Sequence, residues 1–205
     1  FALMHVLVHE APRGGIELPF LAKRTALAYL VGPNGYYLRE RESQKPLVWD
    51  ASRRAAVPFD TEGMAEALEG RYEADAVEIG PDGEVLAEGT LRGTTAFTLT
   101  VEHLATYTPE WAEGVCEVPA ARIRRIANEY LDHARVGETI EVDGVTLPFR
   151  PVAVSLGKTV NNGWGGYECC WARTLMACLV GALDVPGGTI GTAVRLNRPA
   201  NDRQS

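Results

Sequence analysis

The chain has 205 residues and a net charge of −7, and 46% of its residues are apolar and 23% are charged. This composition is typical of a globular protein, and the length fits one domain or one domain with an insertion. Nucleic-acid-binding domains usually carry a basic face, whereas the densest basic stretch here, Arg122, Arg124 and Arg125, is typical of a solvated helix face. No apolar run reaches the roughly 18 residues that a membrane-spanning helix needs.

The opening residues, Phe1 to about Glu10, have the apolar spacing of a helix, and a second helix is predicted from about Leu18 to Ala28. The chain does not begin with Met, so we expect residues to precede it in the natural protein. His5 and His9 lie four residues apart on the first helix, but a metal site there would need a third ligand, which the sequence does not indicate.

Three turn sequences between β-prone runs predict hairpins: Asn34-Gly35, Gly80-Pro81-Asp82-Gly83 and Asp143-Gly144. Pro46 to Trp49 predicts a further short strand. We interpret the hairpins as antiparallel additions to a framework of helices and parallel strands. The predicted domains are an α/β cofactor-binding domain, 1–28 with 94–205, and a hairpin-rich insertion, 29–93.

Two helices are predicted between the second and third hairpins. Phe97, Val101 and Leu104 share one helical face, and Pro119 is suited to begin the following helix because it lacks an N–H group. Residues at helical spacing predict one buried stripe on that second helix: Ile123, Ile126, Ala127, Tyr130 and Leu131.

The segment from Pro151 to Gly188 carries the strongest functional signal. Residues 152–156 form a short apolar run that predicts a strand of a parallel sheet, and a Gly- and Asn-rich loop leads into a helix from Tyr167 to about Leu183. In open α/β sheets, ligands bind beyond the carboxyl end of such a strand, and the following helix N-terminus favours anions. A plain glycine-rich turn is the competing interpretation.

The loop has groups suited to a flat, anionic cofactor. Lys158 could neutralise a negative charge, the amides of Asn161 and Asn162 donate and accept hydrogen bonds, and Trp164 could shield one face of a heterocycle. Gly157-Lys158-Thr159 imitates the end of a nucleotide-binding P-loop, but Val152 stands where that motif needs glycine, which excludes it.

The cysteines do not predict a metal centre. None of the four belongs to a CxxC pair, and we expect them to be buried thiols: Cys116, Cys169, Cys170 and Cys178.

Several ordered passages resemble the dimethyl sulfoxide reductase family of molybdenum enzymes. They are the opening Ala2 to Val6, the passage from Glu102 to Ala127 with its TYTPEW and IRRIA sequences, and the segment from Pro151 to Gly188. The resemblance implies an internal fragment of a catalytic subunit, around a third domain that is α/β, with a mostly parallel Rossmann-like sheet flanked by helices and antiparallel hairpin insertions.

The same resemblance implies an oxidoreductase that moves two electrons or an oxygen atom. Its cofactor would be molybdopterin guanine dinucleotide with molybdenum or tungsten, contacted here by Gly157, Lys158, Thr159, Asn161 and Asn162. No catalytic residue or metal ligand falls in the chain, so the fragment alone should be inactive.

An iron–sulfur cluster would lie elsewhere in the parent protein. The implied partners are an iron–sulfur electron-transfer subunit and the rest of the catalytic subunit, with no nucleic acid. The alternative is a non-catalytic scaffold homologue that has lost the cofactor.

Overall fold

The structure, a computed structural model, describes residues 1–155 and 163–189. The chain forms two compact units. The first combines Phe1–Ala11 with Leu18–Arg124, and the second combines Pro12–Glu17 with the chain from Arg125 onward. The predicted insertion, 29–93, falls inside the first unit, and its boundaries stay a prediction. Within the described ranges, every helix is too short or too polar to cross a bilayer.

The predicted helices lie close to their expected positions, and α4 (Pro109–Cys116) is a further helix where none is predicted. Thr95 and Thr108 begin α3 and α4 by accepting hydrogen bonds from the backbone N–H groups of Thr98 (3.3 Å) and Trp111 (3.1 Å). The helices of the first unit are α1 (Ala2–His5), continued by a π-helical turn (Val6–Glu10), α2 (Leu18–Arg24), a 3₁₀ turn (Ala26–Ala28), α3 (Ala96–Leu104) and α4 (Pro109–Cys116), and α5 (Ala120–Ala134) crosses the unit boundary.

The first unit contains an antiparallel sheet. Its strands pair in the order β1-β6-β5-β2, and β3 and β4 form a separate hairpin. The strands are β1 (Leu30–Val31), β2 (Leu38–Arg39), β3 (Leu47–Asp50), β4 (Ala55–Pro58), β5 (Arg71–Ile79) and β6 (Val85–Thr95). The long β5–β6 hairpin confirms the predicted turn at residues 80–83, and the small apolar core under the sheet contains Leu30, Leu38, Leu47, Ala74 and Ala76.

The hairpin predicted at Asn34-Gly35 forms only in part. The chain does reverse there, and Val31 makes one antiparallel bridge to Tyr37. Beyond that bridge the two strands separate: β1 pairs with β6, and β2 pairs with β5. The turn therefore joins two edges of the same sheet, which curls the sheet on itself.

A buried carboxylate fixes this turn. Glu78 on β5 is fully buried, and its two oxygens accept hydrogen bonds from the backbone N–H of Asn34 (2.9 and 3.2 Å) and of Tyr36 (3.0 Å). The Asn34 side-chain amide donates a further bond of 3.0 Å. Gly32 makes room for the carboxylate, because a Cβ there would lie 2.6 Å from the Glu78 carboxyl carbon.

The second unit contains a hairpin, a 3₁₀ turn (Arg13–Gly15), the end of α5 and α6 (Gly166–Leu179). The hairpin joins β7 (Thr139–Val142) and β8 (Val145–Pro148) as predicted. Asp143 and Gly144 both have positive φ, 50° and 77°, which is the conformation that a two-residue hairpin turn requires.

The predicted parallel, Rossmann-like sheet is wrong. Every strand pair in the described residues is antiparallel, and the one parallel pairing is an isolated bridge between Leu183 and Thr189. Residues 151–155, where a buried strand is predicted, have no regular structure, and Ala153 and Ser155 are exposed. A short apolar run does not by itself specify a buried strand, since an irregular segment can bury alternate residues equally well.

The stripe predicted on α5 is correct only in part. Ile123 and Ala127 are buried, Tyr130 and Leu131 are half-buried, and Ile126 is 40% exposed. The helix is therefore placed correctly, but its buried face is narrower than the apolar pattern indicates.

We predict that Glu78→Gln destabilises the first unit by about 1–3 kcal/mol, because the amide NH₂ would face N–H groups that need an acceptor. Glu73→Gln, an exposed position on the same strand, is the matched control and should leave stability within about 0.5 kcal/mol. Urea unfolding at neutral pH measures both. Equal effects at the two positions would show that the buried carboxylate does not hold the turn.

Candidate functional site

The residues predicted to contact a cofactor lie outside the described residues. Gly157, Lys158, Thr159, Asn161 and Asn162 all fall between 155 and 163, so the prediction for them stays a prediction. The structure does describe the chain on both sides of this loop. Residues 150–155 precede it, and its last predicted residues, Gly163 to Gly166, lead into α6.

A buried arginine fixes the segment that leads into the loop. Arg150 is 4% exposed, and its guanidinium Nη1 donates to the backbone carbonyls of Arg135 (3.2 Å), Glu138 (2.8 Å) and Phe149 (2.7 Å). Its Nη2 donates to the Glu17 carboxylate. One side chain thus ties together the end of α5, the start of the β7 strand and the stretch before α2.

Further contacts fix the residues that follow Arg150. The backbone N–H of Arg150 donates to the carbonyl of Pro186 (3.1 Å), and the guanidinium Nε of Arg173 on α6 donates to the carbonyl of Val154 (2.5 Å). Gly187 packs so closely that a Cβ there would lie 2.7 Å from the Cα of Pro151. The entry to the loop is held by polar contacts to irregular backbone, where the sequence predicts sheet hydrogen bonds.

Arg150 is an organising residue that the sequence patterns do not single out. An arginine between Phe149 and Pro151, directly before an apolar run, is the signal that could have indicated a buried guanidinium. Its partners, however, are backbone carbonyls and a glutamate far away in the chain, which no local pattern specifies.

The start of α6 presents aromatic side chains to solvent. Trp164 is fully exposed, Tyr167 is 82% exposed and Trp171 is 46% exposed. Tyr167 and Trp171 lie four residues apart on one side of α6, and Trp164 lies in the turn directly before the helix. We call these three residues the aromatic stripe. Large exposed apolar surfaces are unusual on a folded protein and commonly mark a contact with another molecule or domain.

The prediction that the cysteines are buried is wrong for two of them. Cys116 and Cys169 are exposed, whereas Cys170 and Cys178 are half-buried, and burial raises the pKa of the Cys178 thiol. Across residues 1–155 and 163–189, no three His, Cys, Asp or Glu side chains converge as metal ligands would.

The two N-terminal histidines bind backbone. Nδ1 of His5 donates to the carbonyl of Leu104 (2.8 Å), and Nε2 of His9 donates to the carbonyl of Val101 (2.9 Å). Both carbonyls belong to the last turn of α3, and the Leu104 carbonyl also accepts a hydrogen bond from the backbone N–H of Tyr107 (3.1 Å). The pair therefore caps a helix end.

Arg124 on α5 joins two carboxylates of the first unit. It donates to Glu10 (2.7 and 2.8 Å) and to Glu110 (2.5 and 3.1 Å). These hydrogen bonds lower the pKa of Glu10 and lower the pKa of Glu110 to about 2. The basic stretch on α5 is therefore not wholly a solvated face, because Arg124 links the end of the first helical segment to the start of α4.

No family model matches the chain. Over 212 aligned residues it is 28% identical to a protein of Allochromatium vinosum that is named as a sulfite dehydrogenase subunit. The alignment covers 91% of this chain and 20% of that protein, so the chain spans about a fifth of the length of this curated relative.

These findings correct the identification that the sequence motifs imply. The chain is not established as a catalytic-subunit fragment of the dimethyl sulfoxide reductase family, because no family model matches and the relative carries another name, that of a sulfite dehydrogenase subunit. The function inferred from that resemblance, a molybdenum or tungsten bis-pterin oxidoreductase or its scaffold homologue, is therefore not supported. What the comparison shows is similarity to a sulfite dehydrogenase subunit.

We predict that removing the buried ion pair lowers the free energy of unfolding of the second unit more than removing an exposed ion pair does. Glu17→Ala leaves the Arg150 guanidinium buried without its carboxylate and should cost about 3 kcal/mol. Glu138→Ala removes an exposed pair with Arg135, in which the side chains are 52% and 58% exposed, and should cost less than about 1 kcal/mol.

Urea unfolding of the two variants measures the difference. Both lose one glutamate side chain, so the comparison controls for the change in net charge. A loss in Glu17→Ala no greater than that in Glu138→Ala would show that the Arg150 contacts do not stabilise the loop entry.

Proposed function

We propose that the chain is one segment of a large subunit of a multi-subunit redox enzyme, and that sulfite is the electron donor of that enzyme. The observation that carries this proposal is the similarity to the sulfite dehydrogenase subunit of Allochromatium vinosum, which extends over 91% of the chain. A match of that extent is expected when a whole folded segment, rather than a short motif, is shared.

The two units suit the interior of a larger subunit. The chain corresponds to 20% of the length of its relative, and the aromatic stripe offers a large apolar surface beside the predicted loop. Burying aromatic side chains stabilises an interface strongly, because each ring covers a large area at a small cost in side-chain entropy. We propose that the remainder of the same subunit packs on this stripe.

The chain's role in that enzyme is to position the predicted cofactor loop, Lys158 to Gly166. The buried Arg150–Glu17 pair and the Arg173–Val154 hydrogen bond support this role, since both fix the backbone at the loop's entry. The molybdopterin guanine dinucleotide and the iron–sulfur cluster stay predictions, as do the contacts of Gly157, Lys158, Thr159, Asn161 and Asn162.

The proposal is tested by measuring sulfite oxidation with the full-length protein and its co-purifying subunits. Oxidation of sulfite to sulfate consumes one water and releases two electrons and two protons, so an electron acceptor such as ferricyanide should be reduced in a ratio of two per sulfite. We expect reduction that depends on sulfite and is absent with sulfate or with heat-denatured protein.

A variant separates the role of this chain from that of the rest of the enzyme. Glu17→Gln should lower the rate in proportion to the loss of folded second unit, whereas Glu138→Gln should retain the full rate. A folded, assembled protein that transfers no electrons from sulfite would contradict the proposed function.

A further inference from the structure

A cleft in the first unit combines an aromatic wall with two cations. It lies between the last turn of α2 and the β3–β4 hairpin, has a volume of about 380 Å³, and is lined among others by Lys23, Arg24, Tyr29, Phe59, Met64 and Glu66. This volume falls in the lower part of the range of small-molecule sites. We call it the Tyr29 cleft.

One wall of the Tyr29 cleft is aromatic. The rings of Tyr29 and Phe59 have centroids 5.5 Å apart at an angle of 49°, and Tyr37 supports Tyr29 edge-on at 5.3 Å. Phe59 is 40% exposed, so part of its ring is available to a ligand. Burial raises the pKa of Tyr29.

The lining of the cleft carries positive charge. Lys23 and Arg24 are exposed, and neither forms an ion pair with a carboxylate in the part of the chain that the structure describes. Other cations of the same unit, including Lys45 and Arg41, do form such pairs. Glu66 is the one carboxylate among the lining residues, so the two cations outnumber it.

Lys23 and Arg24 lie in the last turn of α2, where positive charges stabilise a helix by interacting with its dipole. This interaction explains why cations stand at these positions, but it does not require them to lack carboxylate partners. Unpaired cations beside an aromatic wall, in a chain with a net charge of −7, are complementary to a ligand that is flat on one side and anionic on another.

We infer that the Tyr29 cleft binds a small organic anion with a planar aromatic body. The ring of the ligand packs on Tyr29 and Phe59, and its anionic group lies between Lys23 and Arg24. The site is built from residues of the first unit and does not depend on the proposed redox function.

The experiment compares a charged and an uncharged probe of similar shape. Anilinonaphthalene sulfonate has the required aromatic body and anionic group, and N-phenylnaphthylamine lacks the sulfonate. Fluorescence titration of the purified full-length protein gives the dissociation constant for each probe. We expect the sulfonate to bind more tightly than the neutral probe, and increasing salt to reduce the difference.

The variant Lys23→Gln with Arg24→Gln should weaken sulfonate binding by about 3- to 10-fold and leave the neutral probe within about 2-fold. Arg92→Gln with Arg122→Gln is the matched control: both arginines are exposed, and the change in net charge is the same. Phe59→Ser should weaken both probes, because it removes the aromatic wall.

Each result decides the proposal. Selective weakening of the sulfonate by the Lys23/Arg24 variant, and not by the control, supports it. Equal weakening by both charge variants would mean that the probe responds to overall charge, and no preference for the sulfonate would mean that the cleft is not an anion site. Either result would overturn the inference. Thermal melts by circular dichroism verify that the variants are folded.

Discussion

The antiparallel architecture of the first unit depends on the buried carboxylate of Glu78. A fully buried glutamate would be costly without partners, but here it accepts hydrogen bonds from the Asn34 and Tyr36 backbone and from the Asn34 side chain. Those contacts hold the turn that joins β1 to β2, and the two strands pair with opposite edges of the β5–β6 hairpin. Removal of the carboxylate would take away the acceptor that the N–H groups of Asn34 and Tyr36 share.

The second unit uses a charge of the opposite sign in a similar way. Arg150 is almost fully buried, and its guanidinium satisfies three backbone carbonyls and the Glu17 carboxylate. In both units a buried charged group stabilises irregular backbone, where helix or sheet hydrogen bonds are not available. Residues 150–155, which precede the predicted cofactor loop, are thus fixed by polar contacts, and they do not form the predicted parallel strand.

The local elements could be predicted from the sequence because their signals are local. Apolar residues at helical spacing indicate α3, Pro119 indicates the start of α5, and the Asp143-Gly144 turn requires two residues with positive φ, which its sequence favours. The short helix α4 is missed, although Thr108 and Pro109 at its start are also local signals. Strand pairing could not be predicted in the same way. The turn at residues 32–36 looks like a simple hairpin, but its two strands pair with β6 and β5, and the distant Glu78 accepts hydrogen bonds from the turn.

At the candidate site, too, local features could be predicted and long-range contacts could not. Apolar spacing indicates the approximate position of the helix that follows the loop. The packing of the residues before the loop depends on Arg150, Glu17 and Arg173, which come from separate parts of the chain. The prediction of a parallel sheet is wrong because a five-residue apolar run cannot specify its pairing partners. The resemblance to the dimethyl sulfoxide reductase family also implies a parallel sheet, and the described residues do not contain one.

The aromatic stripe connects the fold to the proposed function. Trp164, Tyr167 and Trp171 would expose a large apolar surface in an isolated segment, and the aligned region makes up only 20% of the relative that the chain matches. Packing of the remaining subunit on this stripe accounts for both observations.

Hydroxyl-radical footprinting of the full-length subunit tests this account most directly, because the rate of side-chain oxidation follows solvent exposure. The internal reference is Trp49, which is half-buried and stacked on Tyr72 with ring centroids 4.4 Å apart. The account predicts that Trp164 is oxidised no faster than Trp49 in the assembled enzyme. Oxidation of Trp164 at the rate of a fully exposed tryptophan, several-fold faster than Trp49, would contradict it.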